Sequence, residues 1–343
     1  MTLLPASDPK TALYAASGSN RGGTGVYTRR LLKGFQLIGA SSVKALAQGT
    51  RTTAGKLLAE NLSVRRHLRR EKYDLLHLPA FGGSVPSGIP YAVTVHDMAF
   101  MRHPEWFGAV RGLYYRLKFP EVAKRAALII ADSFFTAGEI KELLGLESKC
   151  VYLSAPDNSE TDELFRQATG ITGEYILYTG TVEPRKNIGN LLAAWKDIRR
   201  VHSGLTLAVT GRWGWGPSLL RKALENTEGV RWTGSVSDRM IMSAMTGARL
   251  MVYPSIYEGF GLPPLESAAA GTPFVIGPAK ALTEIYGNVA SGIAGDSPES
   301  IAAAVLNALE TEFSPDDLRN FAGELSLEKT ASETLECYRA AVS

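Results

Sequence analysis

The 343-residue sequence is poor in cysteine, in long apolar runs and in clustered metal ligands. Its two cysteines, Cys150 and Cys337, lie far apart without metal-ligand spacing. That pattern argues against a disulfide scaffold and for a reducing compartment, so the cytoplasm is the expected location, with peripheral contact at the inner face of a membrane as an extension. No run approaches the ~18 apolar residues that cross a bilayer, and the longest, such as 126–131, are strand-sized. The start, MTLLPASDPK, breaks its apolar opening at Pro5 and lacks the core of a secretory signal. There is no Asp-x-Asp motif, no cluster of His and carboxylates, no low-complexity tract and no repeat beyond two βα halves. Neither a metal nor a cofactor is expected.

What is present is the composition of a soluble globular chain, 45% hydrophobic and 21% charged, at a length that suits two domains of roughly 150–180 residues. The net charge of +3 conceals an asymmetry. Residues 21–125 carry 18 Lys/Arg against 6 Asp/Glu, and residues 126–343 carry 18 against 27. A basic first half points to an anionic partner such as a phospholipid surface or a lipid diphosphate. The acidic second half argues against nucleic acid.

Strands and helices alternate throughout, which implies α/β architecture with parallel sheets. In the first half, 11–17, 42–48, 74–79, 91–97, 127–133 and 149–156 read as strands. Gly22, Gly23 and Gly25 form a glycine-rich loop running into a helix, without dinucleotide-fingerprint spacing. Leu57, Leu58, Leu62, Val64 and Leu68 fall at roughly helical spacing. Arg65, Arg66, Arg69 and Arg70 lie on the polar side, a cluster able to rest on anionic headgroups. His96 ends a central strand, where open α/β sheets hold ligands. Asp97 either orients that imidazole or caps the next segment, and His103, Trp106 and Phe107 either shape a pocket or pack in the core. A linker is expected near 156–172. In the second half, 175–181, 205–211, 230–238 and 273–277 read as strands. The EPRKN turn after the first of these carries Arg185 and Lys186, suited to a diphosphate.

The most informative stretch is YPSIYEGFGLPPLESAAAG, 253–271. It reads as a strand end, a glycine-rich loop and a helix opened by Pro264 and closed by Gly271. Glu258 and Glu266 lie eight positions apart, the second in the first helical turn. Gly259 and Gly261 flank Phe260 and allow close main-chain approach, and amides near Gly261 and Leu262 attract anions. A nucleoside diphosphate sugar offers the matching groups.

EGFGLPPLE resembles the Glu-x7-Glu signature of the retaining family-four glycosyltransferases of GT-B fold, and the resemblance extends over nearly the whole chain. VHDxxFxRHPEWF resembles a mannosyltransferase-like subset. The resemblance implies two Rossmann-like domains facing across a cleft: 1–156 on the acceptor side and 157–325 binding the nucleotide sugar, with a final helix at about 326–343 packing back onto the first. It implies Glu258 beside the donor sugar, Glu266 on the ribose hydroxyls and His96 beside the reacting sugar. Gly22 and Gly23 would face the donor phosphates, and backbone groups of Val236 and Ser237 the nucleobase. GTxEPRKN resembles the family's diphosphate-binding turn, although Thr181 stands where many members have Arg, so Arg185 or Arg212 supplies the second cation. The implied activity is retaining, metal-independent transfer of a hexose, mannose-like and from GDP-mannose by preference, to a glycan, lipid-linked or small-molecule hydroxyl. A sugar-nucleotide epimerase of the same fold and a non-catalytic nucleotide-sugar-binding protein are the alternatives.

Overall fold

The computed structural model describes residues 8–15, 22–46, 64–81, 85, 88–156 and 160–343. The chain divides into two compact units, Met1–Ser154 with Leu325–Ser343, and Ala155–Glu324.

The first unit holds β1 (Thr11–Tyr14), α1 (Gly23–Leu37), β2 (Val43–Leu46), α2 (residues 64–70), β3 (Leu75–Leu78), β4 (Tyr91–Val95), α3 (Ala99–Arg102), α4 (Ala109–Arg125), β5 (Leu128–Ala131), α5 (Phe134–Leu144) and β6 (Lys149–Cys150). Its six strands are parallel in the order β2-β1-β3-β4-β5-β6. The strands β3 and β4, LLHL and YAVTV, are buried along their whole length, as expected of a parallel sheet covered on both faces. Because β2 and β3 flank β1 on opposite sides, the chain reverses direction there, and the carboxyl end of β1 opens a crevice at this switch point. The glycines enter at that place, although residues 16–21 and the expected helical positions Leu57, Leu58 and Leu62 lie outside the described residues.

The second unit holds α6 (Glu163–Thr169), β7 (Tyr175–Thr179), α7 (Ile188–Val201), β8 (Thr206–Thr210), α8 (Ser218–Asn226), β9 (Val230–Gly234), α9 (Asp238–Gly247), β10 (Leu250–Tyr253), α10 (Leu262–Ala270), β11 (Phe274–Ile276), α11 (Lys280–Tyr286), β12 (Gly292–Ile293), α12 (Pro298–Glu310) and α13 (Pro315–Glu324). Its strands are parallel in the order β12-β11-β10-β7-β8-β9. The reversal falls between β7 and β10, so the loops leaving those two strands share one crevice. A core of Trp195, Ile198, Leu207, Val252 and Val305 lies between this sheet and α7 and α12. Residues 163–169, read from sequence as linker, are helical because Phe165 is fully buried in this unit.

The last helix, α14 (Leu327–Val342), belongs to the first unit and packs on α1. Gly34 makes that crossing close: a Cβ there would lie 2.4 Å from the Leu327 carbonyl oxygen and 2.9 Å from Ala331 Cβ.

Candidate active site

Two polar clusters stand at the carboxyl edges of the two sheets. In the second unit, the chain leaves β7 and turns through a short 3-10 helix, Pro184–Lys186, ended by Asn187 at φ 56°. The loop after β10 is tied to it by the Ile256 amide, which donates to the Arg185 carbonyl at 3.0 Å. Five side chains meet there. Lys186 is buried, and its Nζ donates to Tyr253 Oη at 2.6 Å and ion-pairs with Glu258 Oε1. Tyr253 Oη in turn donates to Glu258 Oε1 at 2.9 Å. Arg185 Nη1 donates to Glu258 Oε2 and to the Tyr257 carbonyl, each at 3.2 Å, while its Nε donates to Glu183.

Two cations and two carboxylates therefore balance in a largely dry place, the condition under which buried charge is tolerated. Burial pushes the Glu258 carboxyl up, but Lys186 and Arg185 outweigh it and hold the pKa at about 2. Burial also lowers Lys186, against the pull of Glu258. At neutral pH Glu258 is ionised. Burial and the Glu258 charge raise the Tyr253 hydroxyl well above its ordinary value, which keeps it protonated and able to donate.

The helix after this loop starts earlier than its prolines led one to expect. It begins at Leu262, with Gly261 as its cap at φ 84°, and closes at Gly271 at φ 75°. Glu266 is thus its fifth residue, beyond the first turn, and is buried. Pro263 and Pro264 carry no N–H, so the amides left at the start of the helix to meet an anion are those of its cap, Gly261, and its first residue, Leu262. A Cβ on Gly261 would lie 2.4 Å from Leu282 Cδ2, and the Gly261 carbonyl accepts from Tyr286 Oη at 2.8 Å. Phe260 is buried with its ring 6.0 Å from that of Tyr286.

In the first unit, His96 follows β4 and Asp132 follows β5, directly after the paired residues Val95 and Ala131. His96 Nδ1 donates to Asp132 Oδ2 at 2.6 Å, which leaves Nε2 as the basic nitrogen of the neutral ring. Burial lowers the His96 pKa, but the charge and hydrogen bond of Asp132 prevail and raise it. Tyr27 meets the imidazole edge-on, with ring centroids 5.2 Å apart. Behind them runs a buried chain: Tyr338 Oη to His77 Nδ1 at 2.5 Å, His77 Nε2 to Thr94 Oγ1 at 2.8 Å, and Thr94 Oγ1 to Tyr27 Oη at 3.0 Å. Burial, with the nearby His96, lowers His77 to about 3, so it is neutral.

Asp97 caps: its Oδ1 accepts from the Ala99 amide at 3.0 Å, and the orienting carboxylate is Asp132. His103 and Trp106 stack with centroids 3.9 Å apart, on short helical turns after β4, and Phe107 is half-buried beside Gly112. Gly22 is the extended cap of α1 and Gly23 its exposed first residue. Val236 is half-buried, and the hydroxyl of Ser237 caps α9 by accepting from the Met240 amide at 3.2 Å. Arg185 lies in the charged cluster, whereas Arg212 is exposed on the loop after β8. Among the described residues no group of three or more His, Cys, Asp or Glu is placed to hold a metal ion.

Sequence reasoning passed over Asp132, Tyr253 and Glu183. The available signal for Asp132 and Tyr253 was their place, a polar side chain at the end of an apolar strand in a sheet whose carboxyl edge holds ligands.

The profile of glycosyl transferases group 1 matches residues 159–324 and that of glycosyltransferase family 4 matches 41–154. O-antigen chain mannosyltransferase B of Escherichia coli is 30% identical over 260 residues, 71% of this chain and 68% of that protein. The serotype-specific mannosyltransferase WbdA of Escherichia coli is 27% identical over 241 residues, 62% of this chain but only 29% of WbdA. In structure, HepE of Anabaena in complex with UDP-glucose superposes with a TM-score of 0.76 at 17% identity, over 96% of this chain and 99% of that one. Two six-stranded parallel sheets of this kind make the fold GT-B. The chain belongs to the family-4 glycosyltransferases.

Proposed function

We propose that this glycosyltransferase moves a hexose, mannose by preference, from a nucleoside diphosphate sugar to a hydroxyl of a glycan, a lipid-linked acceptor or a small molecule, with retention of anomeric configuration. The observation that carries the reading is the convergence of Arg185 and Lys186 on Glu258 across the switch point between β7 and β10. Glycosyl transfer needs its leaving diphosphate stabilised as the sugar takes on positive character, and fixed cations in a dry crevice supply that term. Arg185, Lys186 and the amides at Gly259, Phe260, Gly261 and Leu262 take the diphosphate in this reading. Gly22 and Gly23 are assigned to the donor phosphates by resemblance of the glycine-rich loop that opens α1. Glu258 stands by the donor sugar, Glu266 holds the ribose, Val236 and Ser237 meet the base, and His96 faces the reacting sugar.

Mannose is favoured because the two Escherichia coli relatives named above are mannosyltransferases, one of them an O-antigen chain mannosyltransferase. Guanine is the base we assign, with GDP-mannose as donor, by resemblance of the VHDxxFxRHPEWF stretch. We assign the reaction to the cytoplasm, because Cys150 and Cys337 are not joined in a disulfide, and without metal or cofactor. Among the described residues no helix is long and apolar enough to cross a membrane.

A thermal-shift panel of GDP, UDP, dTDP and ADP with their sugars tests the donor side on wild type and Glu266→Ala. A ligand that binds only the folded state stabilises it by about 2.7 kcal/mol at a hundredfold excess over Kd. A shift with GDP-mannose that is lost in the variant supports the reading; no shift with any nucleotide sugar removes it. Retention is read from the anomer of the product, and a rate abolished by EDTA contradicts metal independence.

A further inference from the structure

Two helices of the first unit, α2 and α4, differ in where their apolar residues lie. In α2, Val64 and Leu68 are buried in the core while Arg66, Arg69 and Arg70 are exposed. Its apolar side is already used by the fold. In α4 the core side is filled by Phe119 and Tyr115, which pack edge-on against Phe81 at 5.5 and 5.4 Å, and by Ala123. Four large apolar side chains remain outside. Val110 is 87% exposed, Leu113 49%, Tyr114 45% and Leu117 66%. Their spacing, i, i+3, i+4 and i+7, puts them on one face over two turns. Soluble surfaces scatter such residues singly and do not align them.

The same face continues into charge. Lys118, Glu121, Lys124 and Arg125 occupy its last two turns and are all exposed. Glu121 is matched by Lys118 at 3.4 Å and Arg125 at 3.2 Å, and the helix as a whole has five Lys/Arg against that one acid. A second copy of the helix would bring only one further acid for five further cations, so it would leave the cationic end unmatched. An anionic bilayer surface instead meets both parts of the helix, acyl-chain boundary for the apolar turns and negative headgroups for the cationic ones.

We propose that α4 is an interfacial anchor that seats the first unit on an anionic membrane surface. The inference deepens the acceptor half of the proposed function. α4 follows directly on the segment 96–108 that leaves β4 at His96, so an anchored α4 holds that strand end close to the headgroup layer where a lipid-linked acceptor presents its sugar.

The test is co-sedimentation of the full chain with phosphatidylcholine vesicles, with and without one quarter phosphatidylglycerol, in the absence of any substrate. Wild type should bind the anionic vesicles at least about tenfold more strongly than the neutral ones, and less so as salt rises. The double variant Leu113→Glu with Leu117→Glu, both at exposed positions, should lose that binding while its melting temperature and nucleotide-sugar shift stay those of wild type. Lys124→Glu with Arg125→Glu should weaken binding to anionic vesicles only. No binding by wild type, or equal binding by the Leu113/Leu117 variant, overturns the proposal. A wild-type dimer that this variant converts to monomer, with no vesicle binding by either, also overturns it and assigns the face to self-association. Donor binding is measured separately, so failure of the anchor and failure of the glycosyltransferase reading show in different assays.

Discussion

The Tyr253 hydroxyl stands 2.6 Å from Lys186 Nζ, accepting from the ammonium while donating to Glu258 at 2.9 Å. One buried oxygen thus sets the position of both charged partners. Tyr253→Phe keeps the ring that Lys186 lies over and removes only this link. The freed ammonium and carboxylate lose a hydrogen bond without gaining water, which costs about 1–3 kcal/mol. We expect kcat to fall roughly tenfold, about 1.4 kcal/mol in the barrier, with a smaller change in donor KM and a folded protein. Steady-state kinetics indistinguishable from wild type would remove Tyr253 as a positioning residue.

Glu258 ties stability to pH. Its folded pKa of about 2 lies below the ordinary 4.5, so its contribution is present above pH 4.5 and is lost as pH falls toward 2. Glu258→Gln leaves Lys186 buried without its counter-charge, a change that costs roughly 3–5 kcal/mol in comparable buried pairs. Urea unfolding should show that gap at pH 6 and a narrower one at pH 3.5. A gap that does not change with pH contradicts the ionic account.

Asp132→Asn tests the first-unit cluster. The Asp132 charge is what holds the His96 pKa above its ordinary value against burial. A raised histidine stabilises the fold below pH 6.5 and loses that contribution as pH rises through the folded value. In Asp132→Asn the imidazole titration, followed by NMR, should move to lower pH, and the stability gained on acidification should shrink. An unmoved titration would mean that the 2.6 Å contact carries little charge interaction.

The closeness of α1 and α14 can be probed at a single atom. Gly34→Ala drives a methyl into the Leu327 carbonyl, which the two helices can relieve only by moving apart. We expect a loss of about 1–3 kcal/mol in thermal or urea unfolding. Gly138→Ala, on α5 with nothing within 4 Å of the new methyl, should instead be neutral or stabilise by up to about 1 kcal/mol. Tyr338→Phe, which breaks the bond to His77, should cost about 1 kcal/mol. Equal effects of the two glycine variants would show that the α1/α14 crossing is not close-packed.

Much of this protein could be read from sequence. The alternation of short apolar runs with amphipathic stretches marked a parallel α/β chain, and almost every run, from 74–79 to 273–277, became a strand because its pattern is local. Ser297 and Gly145 cap helices as their types suggest. The spacing of Glu258 and Glu266, with the glycine-flanked Phe260 and the double proline, singled out this loop from sequence, and in the structure Glu258 meets Arg185 and Lys186 there while Glu266 lies beyond the first turn of α10. Other features depended on distance. Asp132 meets His96 only because β4 and β5 pair with Val95 opposite Ala131, and Tyr253 meets Lys186 only because β10 folds back beside β7. The segment 163–169 is a helix because Phe165 finds a core. The apolar side of α2 turns inward and the Val110–Leu117 stripe outward for the same reason: local sequence sets backbone preference and side-chain periodicity, but which face is buried, and which strand ends become neighbours, is decided when distant segments compete for the same core.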